Sequence, residues 1–155
     1  QDFLESYKKI ANLDTLEPVY QIKDIMTKDV IYMDNKSTVE DVYNTIRSKK
    51  VHQIPITAFG KKIIGIVNKK VILNLLMNDI ENAQEILKRK IEDIYLPEIL
   101  TAEPESDVRK VVQIMLDLKL DAIPIVDEND VLMGIVSKTD ILKAVSHLPK
   151  LQLWS

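Results

Sequence analysis

Residues 22–76 can be laid over residues 91–145 at a constant offset of 69 positions, with no gap anywhere. Sixteen of the 55 pairs are identical, and several others exchange one apolar residue for another, as Ile63 does with Leu132. The chain has only three glycines, and two of them, Gly65 and Gly134, occupy matching positions, as do Pro55 and Pro124. A duplication this regular means that one supersecondary unit is built twice, so the function should be sought between the copies.

Each copy has the same order of elements. Residues 30–33 and 98–101 suit a short strand or extended linker, followed by a helix opened by Ser37 or Ser106. Ser37 with Glu40 has the spacing of a capping box. Val39, Val42, Tyr43 and Ile46, and likewise Val108, Val111, Val112 and Met115, recur at helical spacing and give one apolar face. Two strands are predicted next, at 53–57 and 63–67 and again at 122–126 and 132–136. Pro55 and Pro124 lack a donor for a sheet ladder and predict edge positions for the first of each pair. The nearly unbroken apolar runs of the second strands predict burial on both faces. A second helix closes each copy at 71–77 and 139–146, and Ile80, Ala83, Ile86 and Leu87 predict a connecting helix over 78–90. Residues 2–13 also read as helical, and 148–155 as a tail that carries the only tryptophan, Trp154. The expected division is 1–21 for an N-terminal helix and linker, 22–77 and 91–146 for the two units, 78–90 for the connection and 147–155 for the tail.

Composition narrows the function. The chain is 155 residues long, 46% hydrophobic and 29% charged, which suits an ordinary globular α+β (α/β) domain with ample core. No apolar run approaches the ~18–20 residues of a membrane span, and no secretory signal is visible, so the expected location is the cytoplasm. The net charge of −3 argues against a nucleic-acid binder. Two histidines without metal-ligand spacing and no cysteine argue against a metal site, and His147 is better read as a charge partner at a helix end. No activated nucleophile, glycine-rich phosphate loop or metal constellation supports an enzyme. The two copies differ in charge. Residues 22–76 hold ten Lys/Arg and five Asp/Glu, net +5, whereas 91–145 hold five and twelve, net −7.

Asp24-Ile-Met-Thr27, Ile54-Pro-Ile56 with Ile123-Pro-Ile125, and above all Gly134-Ile-Val-Ser-Lys-Thr-Asp140 carry a family resemblance. The pattern resembles a stand-alone tandem pair of cystathionine-β-synthase (CBS) domains, and the last stretch is similar to that family's Gly-x-x-Ser/Thr-x-x-Asp motif. The resemblance covers 22–146. It implies two β-α-β-β-α units around a pseudo-two-fold axis with a cleft on either side of their interface. It further implies dimerisation through helices, and a sensor that binds an adenosine compound (AMP, ADP, ATP or S-adenosylmethionine) with no required cofactor. The implied ligand contacts are Ser137, Lys138 and Asp140, with Thr27 and Val30, and Val51, His52 and Gln53 from the other copy.

The chemistry of those residues is consistent with this role. Ser137 stands where a strand hands over to a helix, whose first amides are donors suited to an anion. Asp140 offers acceptors for paired ribose hydroxyls, the 51–53 segment an edge for adenine, and His52 with Lys50 charge for phosphate. Ser137 and Asp140 are equally spaced as a helix cap and its reciprocal acid, which needs no ligand at all. The first copy departs from the motif, with Asn68 for the Ser/Thr and Val71 for the aspartate, while Asp121 stands at the position matching His52. One working nucleotide site per chain is therefore expected. The leading expectation is an AMP/ADP/ATP sensor acting on an unidentified regulated protein; the alternatives are an S-adenosylmethionine sensor and a ligand-free dimerisation module. The opposite charge of the copies favours a head-to-tail homodimer.

Overall fold

A computed structural model of the chain describes residues 20–147. The expected helix at 2–13 and the tail at 148–155, with Trp154, lie outside the described residues, and so does the side chain of His147. Strands β1 (Met33–Asp34), β2 (Gln53–Ala58), β3 (Lys62–Asn68), β4 (Ala122–Val126) and β5 (Leu132–Ser137) alternate with helices. These are α1 (Val39–Lys49), α2 (Lys69–Asn78), α3 (Ala83–Lys88), α4 (Val108–Leu118) and α5 (Lys138–His147). β1, β2 and β3 form one sheet in that order, and β4 pairs with β5 in another.

Both copies fold alike, in hydrogen-bond register as well as in element order. β1 runs parallel to β2 with Met33 beside Ile56, and 69 positions later Ala102 bridges Ile125 in the same sense. The first strand therefore begins only at Met33, the last residue of the expected 30–33, and its counterpart at Ala102, one residue past 98–101. Helices α1 and α4 end alike, with Lys50 and Lys119 in the left-handed region at φ 54° and 55°. Their starts fall one residue later than Ser37 and Ser106. Thr38 caps α1 and exchanges backbone–side-chain bonds with Asp41, and Asp107 caps α4 by accepting from the Arg109 N–H. Val39 and Val108, both fully buried, take the first helical position, and the residue before each becomes the cap.

Two expectations about the strands fail. Pro55 is in the central strand of its sheet, not at an edge. The reason is visible in the second copy, where the Pro124 carbonyl accepts from the Ala102 N–H. The nitrogen of a strand residue faces the same side as its carbonyl, so the missing donor faces the short first strand. In the first copy that strand's paired residues begin only at Ile56, past the proline. β3 and β5 are also not buried throughout, since the matching residues Ile64 and Met133 remain 40% and 43% exposed. The connection 78–90 is broken rather than one helix. Asp79 at φ −152° interrupts it, a 3-10 turn (Ile80–Asn82) follows, and α3 then buries Ile86.

The compact units cut across the repeats. One consists of Ile31–Ile99 with Asp130–Leu132, and the other of residues 20–30, Leu100–Asn129 and residues 133–147. We call them the first-repeat and second-repeat units. The leading arm of each repeat thus belongs to the other repeat's core. Ile22 is fully buried among Val108, Val111, Met115, Ile123 and Val136, while Ile91 is buried among Val39, Val42, Ile46, Ile54 and Val67. The backbone repeats the exchange. Ile22 N–H donates to Ser106 and Val108 N–H to Tyr20; correspondingly, Ile91 N–H donates to Ser37 and Val39 N–H to Arg89. Lys36 adds an ion pair to Glu92 on the second arm, and that hydrogen bond and charge raise the Lys36 pKa above its ordinary value.

The two matched glycines serve these arms. A Cβ on Gly134 would lie 2.7 Å from the Thr27 carbonyl oxygen and 2.9 Å from the Met26 sulfur. A Cβ on Gly65 would meet Leu96, the counterpart of Thr27, with Cδ1 at 2.6 Å. At Gly134 only glycine lets the backbone of the arm cross this closely, whereas at Gly65 the contact is with a side chain.

Candidate functional site

The 134–140 turn joins β5 to α5 inside the second-repeat unit. Ser137 ends the strand and caps the helix. Its hydroxyl accepts from the Asp140 N–H at 3.3 Å, and its own N–H donates to Asp140 Oδ2 at 2.9 Å. The Ser137 hydroxyl also lies 3.1 Å from Oδ2 as a donor. The other oxygen, Oδ1, accepts from the Thr27 hydroxyl at 2.8 Å. Thr27 is held there by its backbone, which forms a two-bond antiparallel bridge with Ile135 (2.9 and 3.0 Å). Asp140 is only 8% exposed, so its charge is supported chiefly by these three donors.

The first-repeat unit has the same backbone and a different chemistry. Asn68 caps α2 by accepting from the Val71 N–H at 2.8 Å, and Val71 and Leu96 pack on that unit's apolar core. Thr27, Ser137 and Asp140 are thus replaced together by Leu96, Asn68 and Val71. The acceptor and its hydroxyl donor have both been exchanged for hydrocarbon. Sequence comparison at the motif reveals the lost aspartate, but the accompanying Thr27-to-Leu96 change becomes meaningful only when the crossing arm is seen.

Charge separates the two turns further. Lys138 Nζ lies 2.9 Å from Asp121 Oδ1, with both side chains about two-thirds exposed. The expected open anion site at the start of α5 is largely occupied by the chain itself. The Ser137 and Asp140 N–H groups bond within the cap, and the Lys138 N–H donates to the Asp121 carbonyl. Asp140 also sets a negative charge against the positive end of the helix. In the first-repeat unit the pairing of Gln53 with Asn68 brings His52 and Lys69 opposite each other one step further on, the positions of Asp121 and Lys138. Both are exposed, Lys70 follows, and α2 has no acidic residue in its first turn. Cations at a helix N-terminus oppose the dipole, and that combination favours an incoming anion. Lys69 is not among the ligand contacts that the resemblance implies; its signal was the exchange of Asp121 for His52 opposite a lysine present in both copies.

The remaining candidates are placed as follows. Val51 is half-buried against the first-repeat core, and its N–H donates to Ile46, so it has no amide left for a base edge. Gln53 opens β2 and pairs with Asn68. Val30 is half-buried, and its N–H donates to the Lys28 carbonyl. The structure therefore brings Thr27, Ser137 and Asp140 together, with Lys138 alongside on Asp121. Val51, His52 and Gln53 belong to the first-repeat unit. Among the described residues no group of three His, Cys, Asp or Glu side chains is arranged to hold a metal, and no helix is long and apolar enough to cross a membrane.

A duplicated β-α-β-β-α unit with exchanged arms and this turn defines the class. The CBS domain family matches residues 22–78 and 91–147, and the chain belongs to that family. Protein MJ1225 of Methanocaldococcus jannaschii is 29% identical over 140 residues, covering 86% of this chain and 50% of that protein. Its crystal structure superposes with a TM-score of 0.75 at 28% identity, over 89% of this chain and 52% of that one. A homoserine O-acetyltransferase of Methanohalophilus mahii is 30% identical over 120 residues, which are 77% of this chain and 23% of that enzyme. The chain thus spans about half or less of the length of these relatives. Two complexes share the fold: CBSX2 with AMP (TM-score 0.74, 21% identity, 84% of this chain and 99% of that one) and the CBS domain pair of MJ0100 with 5′-methylthioadenosine and S-adenosyl-L-methionine (0.69, 22%, 84% and 98%).

Proposed function

We propose that the chain is a non-catalytic regulatory module that binds one adenosine nucleotide, AMP, ADP or ATP. The observation that carries this reading is the buried Asp140 carboxylate at the end of the motif, kept with its donors in one repeat and replaced as a set in the other. Asp140 and Ser137, with Thr27, Lys138 and Val30 on the same unit, are the ribose side of the proposal. On the first-repeat unit the reading assigns Val51 as an apolar wall without a free amide, Gln53 as a polar adenine contact, and His52 with Lys69 as phosphate contacts. Complexes of related folds with AMP and with S-adenosylmethionine support the ligand class. The exposed cations Lys69 and Lys70, beside the His52 imidazole, favour phosphate over the positively charged sulfonium of S-adenosylmethionine. Signalling would follow if the ligand prefers one of two arrangements of the chain and so shifts its population.

Calorimetric titration with AMP, ATP and S-adenosylmethionine tests the reading. One nucleotide per chain is expected, with a stabilisation of about 2.7 kcal/mol at a hundredfold excess over Kd and a smaller response to S-adenosylmethionine. Two equivalent nucleotides per chain would refute the single site. No heat and no change in Tm with any of them would leave the second reading, a ligand-free dimerisation module in which Ser137 and Asp140 only cap α5. The satisfied reciprocal cap favours that second reading.

We also propose that two copies associate head to tail. The matching residues Leu73 on α2 and Leu142 on α5 are 57% and 68% exposed, and the basic first repeat complements the acidic second one. The chain has no cysteine, so Leu73→Cys and Leu142→Cys proteins can be mixed and oxidised cleanly. Cross-links between the two variants are expected; cross-links of each variant with itself alone would mean that like repeats meet.

A further inference from the structure

The hydrogen bonds of Asp140 leave it short of what a ribose needs. A carboxylate offers about four acceptor positions. Oδ2 is engaged by the Ser137 N–H and hydroxyl, and Oδ1 by the Thr27 hydroxyl, so among the described residues three donors are already in place. A vicinal diol brings two more. One of the five must give way, and the three present donors are not equally free. The Ser137 N–H is backbone, and the Ser137 hydroxyl also accepts from the Asp140 N–H in the cap. The Thr27 hydroxyl has Asp140 as its hydrogen-bond partner, belongs to an exposed residue, and can leave by rotation about χ1 while the two backbone bonds to Ile135 hold the arm.

We propose that the Thr27 hydroxyl is an internal stand-in for a ligand hydroxyl: it occupies the Asp140 acceptor that a vicinal diol requires, and it thereby sets the preference of the site between ribose and deoxyribose. This inference rests on the adenosine-ligand reading above. The first repeat supports the coupling, because where Asp140 becomes Val71 the hydroxyl at the Thr27 position becomes Leu96. A hydroxyl that served only the arm's packing would have no reason to disappear with the carboxylate. With Thr27 in place, the one spare acceptor takes one ligand hydroxyl at no cost, and the second must displace Thr27. AMP therefore gains little over 2′-deoxy-AMP.

The test compares AMP and 2′-deoxy-AMP by calorimetry on the wild type, Thr27→Val and Thr27→Ser. Valine keeps the shape and removes the donor. In Thr27→Val, AMP is expected to bind about tenfold more tightly, the scale of one charge-assisted hydrogen bond. The 2′-deoxy-AMP affinity should change less than twofold, so the ratio of the two Kd values rises about tenfold, and Thr27→Ser keeps the wild-type ratio. A ratio that stays constant or falls in Thr27→Val overturns the stand-in role while leaving the adenosine site intact, since a purely structural threonine would alter both ligands alike. If the folded wild type and variants bind neither nucleotide, the adenosine reading fails and this inference fails with it. Should Thr27→Val fold poorly by circular dichroism, Thr27→Ala removes the same donor with less side chain and carries the same expected ratio.

Discussion

Asp140→Ala is expected to weaken adenosine-ligand binding about ten- to a hundredfold while costing only about 1–2 kcal/mol of stability, the value of a lost helix cap. The two effects differ because they use different properties of one group. The carboxylate closes the α5 cap through Ser137 and is satisfied by three donors, so removing it leaves two hydroxyls and one amide to find water at the edge of a partly exposed turn. On the proposed reading, ligand binding would instead depend on charge-assisted acceptance of a ribose hydroxyl at the one acceptor of Asp140 left free, at about 1.5–3 kcal/mol, which corresponds to a loss of about ten- to a hundredfold. Titration and urea denaturation of the same protein read the two numbers independently. Asp140→Asn should retain most of the cap and still weaken binding at least tenfold. Val71→Ala, at the matching position of the other repeat, should leave binding unchanged. Undiminished nucleotide affinity in Asp140→Ala would remove the ribose assignment altogether.

Gly134→Ala is expected to destabilise the chain by about 3 kcal/mol and Gly65→Ala by about 1 kcal/mol, the upper and lower ends of what overpacking costs. Both added methyl groups meet the arm that crosses the strand, but they meet different atoms. At Gly134 the obstacle at 2.7 Å is the Thr27 carbonyl oxygen, fixed by the paired bonds with Ile135. Relief there requires the arm to lift and those bonds to lengthen. At Gly65 the nearest atom is the terminal carbon of Leu96, which can turn away, leaving a milder contact of 3.3 Å with its Cβ. Thermal melts should therefore fall by roughly 6–12 °C and 2–4 °C respectively, at about 2–4 °C per kcal/mol for a chain of this size. Equal shifts would mean that the arm over Gly134 is as compliant as a leucine side chain.

Much of this was legible in the residues. Element order, the apolar faces of α1 and α4 and the three-strand pattern follow from hydrophobic periodicity, which is a local property. The misplacements were local competitions decided by packing. Val39 and Val108 moved the helix starts one residue beyond the serines. The central strand accepted Pro55 because its donor-less side faced a neighbour whose pairing begins only at Ile56. Among the candidate site residues, Ser137 and Asp140 were singled out by motif. The partnership of Thr27 with Asp140 spans 113 positions and left no short-range trace. Lys69 did not stand out from the other exposed lysines because a lysine occupies that position in both copies, and its meaning changes with whether histidine or aspartate stands opposite.

The residues alone determined that one unit is made twice, that it is a CBS pair, and that only the second copy keeps the motif aspartate, because repetition and side-chain chemistry are written position by position. Tertiary structure alone decided that each repeat lends its leading arm to the other's core, and hence that a threonine from residues 20–30 completes the turn at 134–140. Hydrogen bonds and close backbone crossings depend on distances in space, and neither periodicity nor spacing along the chain encodes which distant segment will arrive.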